Sequence, residues 1–118
     1  METTPKEAFI YQTESGECPF EEWLGSLKDR RGRAKVRARI ARVRAGNMGP
    51  CNPVGQGVLE LKIDFGPGYR VYFGQIGRAI ILLLCGGDKS TQAKDIRLAH
   101  DYWADYWRRP HATHKKLS

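Results

Sequence analysis

Two stretches that alternate between apolar and polar residues, separated by Gly66-Pro67-Gly68, constrain this chain more than any other feature. Over residues 58–65, Leu59, Leu61, Ile63 and Phe65 share one face while Glu60, Lys62 and Asp64 share the other. Residues 69–76 alternate in the same way, with Val71 and Phe73 inward and Arg70 and Tyr72 outward. A period of two on both sides of a glycine-proline-glycine turn predicts a β-hairpin with one face on a core and one face open. With the register centred on the turn, Asp64 falls opposite Arg70 and Lys62 opposite Tyr72, which gathers four functional groups on the open face.

The rest of the chain supplies the layers such a hairpin needs. After a short turn at Gly77-Arg78, residues 79–85 are uniformly apolar, as a strand buried on both faces and central in its sheet would be. Residues 8–13 are rich in strand formers and end at the turn-prone Glu14-Ser15-Gly16, so a first strand is expected there. Pro19 opens a helix that carries Phe20, Trp23, Leu24 and Leu27 on one side. A second helix is expected over residues 29–45, with Asp29 as N-cap, Val36, Ile40 and Val43 as its apolar stripe and Gly46-Asn47 as its stop.

At about 100° per residue, Arg33, Arg37 and Arg44 border that stripe on one flank and Lys35, Arg39 and Arg42 on the other. Residues 46–57 hold four Gly, two Pro and two Asn and read as a loop. Gly86-Gly87-Asp88-Lys89 ends the central strand, Ser90 is the expected cap of a last helix striped by Ile96, Ala99, Trp103 and Trp107, and Pro110 is its expected stop.

The order β-α-α-β-β-β-α predicts an α+β fold, an antiparallel sheet with helices packed on one face and the other face accessible. With 118 residues the chain has room for one domain, expected over residues 1–110, followed by a short polar tail, 111–118, expected to be disordered. Three cysteines without paired spacing fit a reducing compartment, with Cys85 as core. The amino terminus lacks the apolar stretch of a secretory signal, and the longest apolar run is far shorter than the roughly 20 residues needed to cross a bilayer. A cytoplasmic protein is expected. The net charge of +7, from 20 Lys and Arg against 13 Asp and Glu, favours a polyanionic partner, with nucleic acid ahead of acidic protein.

Three stretches together resemble the RelE/ParE toxin superfamily, and within it the HigB-like or phage Gp49-like addiction module killer branch, over most of the chain. They are Pro19-Phe20-Glu21-Glu22-Trp23-Leu24, the hairpin from Gly57 through Phe73, and Leu84-Cys85-Gly86-Gly87-Asp88-Lys89-Ser90-Thr91-Gln92. The resemblance implies a RelE-like fold and a toxin held inactive by an antitoxin, commonly a helix-turn-helix protein. It also implies ribosome-dependent endonuclease activity on messenger RNA without metal or other cofactor.

Cutting RNA through the ribose 2′-OH needs a base, an acid for the leaving 5′ oxygen, and cations for the extra negative charge. Arg70 is the leading candidate, because its planar fork can clamp a phosphate and it best matches the family's functional positions; a surface ion pair with Asp64 is the alternative. Lys89 matches a position where relatives carry a basic group and sits beside a helix N-terminus, with plain helix capping as its alternative. Lys62 serves first as a substrate-binding cation, and as a base only if neighbours lower its pKa.

Tyr72 either stacks on a base or packs, Asp88 either orients Lys89 or forms a turn, and Arg33 and Arg37 face phosphate or antitoxin unless they are simply solvated. Some relatives place a catalytic Tyr or His where this chain reads Ser90-Thr91-Gln92-Ala93-Lys94-Asp95. His100 reads as structural and His111 and His114 as incidental tail residues. Two other functions share the fold: a ParE-like inhibitor of DNA gyrase without catalysis, and a non-toxic nucleic-acid or partner-binding module.

Overall fold

The computed structural model describes residues 4–109 and 112–117. The elements are β1 (Glu7–Ile10), α1 (Pro19–Ser26), α2 (Arg30–Arg44), β2 (Cys51–Pro53), β3 (Val58–Ile63), β4 (Tyr69–Ile76), β5 (Ile80–Asp88), α3 (Gln92–Arg108) and β6 (Lys115–Lys116). They form a mixed α/β domain around one six-stranded sheet of order β2-β3-β4-β5-β1-β6. The apolar run is central as expected, with β4 antiparallel on one side of β5. On its other side β1 pairs in parallel, so the sheet is not purely antiparallel.

The helices do not share one face. α1 and α2 bury Phe20, Leu24, Val36, Ile40 and Val43 against Leu61, Ile63, Val71, Phe73, Ile81 and Leu83. α3 covers the opposite face, where Ala99 and Trp103 pack on Val58, Tyr72, Leu82 and Leu84. The cause lies in β5 itself: its alternate residues are apolar on both sides, and each side leaves water only if a helix covers it. The face expected to be open is therefore closed over much of its area.

Two strand glycines make the close cover possible. A β-carbon on Gly86 would stand 2.2 Å from the ring of Trp23, and one on Gly74 2.2 Å from the ring of Trp103. Strand β5 thus runs on through Gly86 and Gly87 to Asp88, past its expected end at Cys85.

Local chemistry sets the helix ends. Pro19 occupies the first turn of α1. The Asp29 side chain accepts from Arg31 N at 3.0 Å, as expected of an N-cap. At α3 the expectation fails, because a 3-10 turn, Lys89–Thr91, precedes the helix and its cap is Asp88, which accepts from Ser90 N at 2.8 Å. Trp107 is 56% exposed, its ring edge-on against those of Trp103 and Tyr106 rather than buried in the stripe. Pro110, the expected helix stop, is outside the described residues.

Two segments read as irregular carry strands. Within the 46–57 loop, β2 pairs antiparallel with β3, with Asn52 opposite Glu60. Residues 112–117, expected to be a disordered tail, lie along β1, with Lys116 opposite Phe9 and Lys115 opposite Ile10. Both satisfy the backbone groups of a sheet edge, which neither composition nor periodicity reveals. Strand β1 ends earlier than expected, at Ile10, before the turn in which Gly16 N donates to Thr13 O at 2.9 Å.

Candidate functional site

The hairpin register decides which side chains meet. Strand β3 stops at Ile63, so the connection spans residues 64–68 and Ile63, not Phe65, stands opposite Tyr69. Lys62 is then opposite Arg70 and Glu60 opposite Tyr72, two residues removed from the expected Asp64–Arg70 and Lys62–Tyr72 pairs. All four side chains remain on the α3 side, because a shift of two positions preserves the face.

Under the first turn of α3 the group is largely closed. Glu60 is 1% exposed and accepts from Gln92 Nε2 at 2.8 Å. Its carboxylate lies 3.8 Å from Arg70 Nε, so the arginine's ion pair is buried and formed with Glu60, not on the surface with Asp64. Arg70 Nη1 donates to the Gly68 carbonyl at 3.3 Å and more weakly to that of Tyr69 at 3.5 Å. Tyr72 is fully buried and does not offer its ring for stacking on a base. Burial, and then the neighbouring Glu60 carboxylate, push its hydroxyl well above the ordinary tyrosine range, so it stays protonated.

Asp95 approaches from α3, taking a hydrogen bond from Thr91 Oγ1 at 2.5 Å. Burial raises its pKa while the Thr91 bond opposes the rise. It fits only because Gly87 has no side chain; a β-carbon there would stand 1.8 Å from Asp95 Oδ2.

At the rim the group opens. A β-carbon on Gly68 would lie 3.4 Å from Arg70 Nη1 and 3.6 Å from Lys89 Cβ, so the guanidinium and the base of the Lys89 side chain flank one glycine. Tyr69 pairs with Asp88 and Arg70 with Gly87, which brings the end of β5 beside the hairpin turn. Lys62 and Lys89 are both exposed. Of the expected site residues, Lys62, Arg70, Tyr72, Asp88 and Lys89 thus come to one corner.

Asp88 serves the turn. Hydrogen bonds from the Ser90 hydroxyl and amide hold its carboxyl below the ordinary carboxylate range. Asp88→Ala is expected to lower stability by about 0.5 to 2 kcal/mol, the usual loss for an N-cap, measurable by urea unfolding.

Arg33 and Arg37 do not join this corner. They ride on α2, which packs on the other sheet face. Arg33 Nη1 donates to the Leu27 carbonyl, and Arg37 lines a cavity of about 390 Å³ with Phe20, Glu21 and Leu24. Their neighbour Arg39 turns inward, donating through Nη2 to the Met48 carbonyl at 2.5 Å and the Pro50 carbonyl at 3.0 Å, and so ties the loop before β2 to α2. Burial lowers its pKa from the usual arginine value. His100 is structural, as expected, with Nε2 2.9 Å from the Val54 carbonyl. His111 lies outside the described residues.

Glu60, Gln92 and Asp95 escaped the sequence reading. Glu60 fell in the polar half of a clean alternation, and only the position of α3 turns that half inward. The one available signal was the approach of Gln92 and Asp95, three apart and hence on one side of α3. Among the described residues no group of three or more His, Cys, Asp or Glu side chains could hold a metal ion. No helix among them is long and apolar enough to cross a membrane.

No family model matches the chain. The chain is similar to an uncharacterized protein of Haemophilus influenzae, with 51% identity over 80 residues that make up 68% of this chain and 81% of that protein. Identity of that extent shows common descent, and the chain belongs to the family of this Haemophilus influenzae protein.

Proposed function

We propose that this chain is the toxin of a toxin–antitoxin pair, a RelE/ParE-superfamily protein of the HigB-like or phage Gp49-like branch, which cuts messenger RNA on the ribosome in the cytoplasm. The observation that carries the reading is the corner where Arg70 and Lys89 flank Gly68, with Lys62 in register beside Arg70. Three cations at one edge, two of them exposed, suit a phosphodiester backbone.

In the proposed reaction the 2′ oxygen gives its proton to solvent water, attacks the adjacent phosphorus and expels the 5′ oxygen, which takes a proton back from water. The products are a 2′,3′-cyclic phosphate and a free 5′-hydroxyl. The step needs no metal if fixed cations stabilise the negative charge that grows on phosphate. Arg70 is the catalytic residue in this scheme, and Lys89 and Lys62 hold the flanking backbone. Glu60 is a positioning residue that holds Arg70 by an ion pair at 3.8 Å, itself held by the Gln92 hydrogen bond at 2.8 Å. The antitoxin, in this reading a helix-turn-helix protein, blocks the corner or the basic helix α2 until it is lost.

Induction of the gene in growing cells tests the proposal. The expected result is arrested growth with transcripts cut at reproducible positions, repeated in vitro with purified protein and translating ribosomes. Normal growth with intact transcripts would overturn it in favour of a non-toxic binding module. Intact transcripts with lost supercoiling in a gyrase assay would replace the nuclease with a gyrase inhibitor.

A further inference from the structure

The C-terminal segment 112–117 closes the β1 edge through its short pairing with β1, the Leu117 side chain on the core and a hydrogen bond from Arg44 Nη2 to the Leu117 carbonyl at 3.3 Å. Leu117 N donates to the Ala8 carbonyl at 2.8 Å, and Lys115 and Lys116 reach Glu21 and Glu7 at 2.9 and 3.5 Å. Those ion pairs are exposed and contribute little. His114 is the segment's half-buried polar anchor: its Nδ1 accepts from Gln12 N at 3.0 Å, which makes the ring neutral with its proton on Nε2. The ring lies 5.6 Å from that of Tyr11 and 5.4 Å from that of Tyr106, and its Nε2 is buried without a hydrogen-bond partner.

We propose that His114 is a proton-operated latch, which in its neutral form holds the C-terminal strand on β1 and in its protonated form releases it. Release uncovers the β1 edge and opens both flanking cavities. One, of about 310 Å³, has residues 112–114 as a wall against Phe9, Leu82 and Tyr106. The other has Leu117 as a wall against Ile10 and Phe20.

Protonation turns the Nδ1 acceptor into a donor aimed at the Gln12 N–H. It also sets a positive charge near Arg109, whose Nη2 donates to the Gln12 carbonyl at 2.9 Å. The only facing carboxylate among the described residues is Asp105 on α3, already bound by Arg109 at 2.6 Å and by the Tyr11 hydroxyl. Asp105 is held down to about 2 chiefly by the Arg109 hydrogen bond, and burial raises Tyr11 to about 12, so neither changes charge near neutrality. Tyr106 contributes only its ring, and Lys115 extends to Glu21 on α1.

Burial, then Arg109, lower the His114 pKa, and Asp105 offsets this in part. The released segment takes up its proton at the ordinary value of 6.5 and the docked one only at lower pH. Docking is therefore at full strength above that value and weakens as pH falls below it, by up to about tenfold in population per unit until the docked ring itself titrates.

A proton and nitrogen NMR titration of the full chain tests the latch. The expected result is a His114 midpoint below 6.5 and a Leu117 amide whose opening, corrected for intrinsic exchange, rises as pH falls, while β5 amides stay protected. His114→Gln, which accepts a hydrogen bond but takes no proton in this range, should abolish the pH response at Leu117. A wild-type midpoint at or above 6.5, or an unchanged Leu117 response in His114→Gln, would overturn the proposal. Should that variant fail to dock its tail, the wild-type midpoint and Leu117 profile decide alone.

Discussion

Replacing Arg70 with alanine is expected to lower messenger RNA cleavage by about a hundredfold or more, equivalent to at least about 2 to 3 kcal/mol of transition-state stabilisation. The same change destabilises the fold, because it leaves the Glu60 carboxylate buried opposite Tyr72 with Gln92 as its remaining partner. Removing one member of a buried pair costs about 3 to 5 kcal/mol.

The two losses separate in the double variant Arg70→Ala with Glu60→Gln. A neutral amide in place of the carboxylate recovers much of the thermal stability and none of the cleavage. Unfolding by circular dichroism and cleavage by primer extension on translating ribosomes give the two readouts. A folded Arg70→Ala protein that still cuts messenger RNA would remove the arginine from the reaction and leave Lys89 and Lys62 to account for it.

The second large effect is steric. Gly74→Ala and Gly86→Ala should each destabilise by about 1 to 3 kcal/mol or more, the range for overpacking a close-packed core. Their new methyl groups would fall 2.2 Å from Trp103 and Trp23, whose rings are held between strand and helix. The loss appears as a lower urea midpoint at unchanged slope. Trimming the ring, as in Gly74→Ala with Trp103→Leu, should restore part of the midpoint. A midpoint unmoved by Gly74→Ala would mean that α3 does not cross β4 at this glycine.

These glycines show where a linear reading stops. Gly86 and Gly87 look like strand punctuation, since glycine commonly ends a run of apolar residues. In the fold they continue β5, one beneath Asp95 of the following helix and one beneath Trp23, a residue remote in sequence. Lys115 and Lys116 give a similar lesson, for nothing in a short polar stretch indicates that it will satisfy the free edge of β1.

At the candidate site, the cations were legible and their company was not. Arg70, Lys62 and Lys89 stood out by charge, alternation and position after the central strand. The burial of Glu60 depends on Gln92, thirty-two positions away. The separation of Arg33 and Arg37 from the hairpin depends on which face α2 covers.

The hairpin, the doubly buried strand, the Pro19 start of α1, the Asp29 cap of α2 and the stripes of both helices are written into the chain itself, because they follow from periods of two and 3.6 and from residues acting on nearby backbone. The hairpin register, the side taken by α3 and the partner of Arg70 come from contacts made when the whole chain folds. A two-residue slip keeps every face and changes every opposite neighbour, so the alternation of residues 58–76 is compatible with either pairing. The longer connection at 64–68 and the docking of α3 settle it, through contacts between residues that no local pattern links.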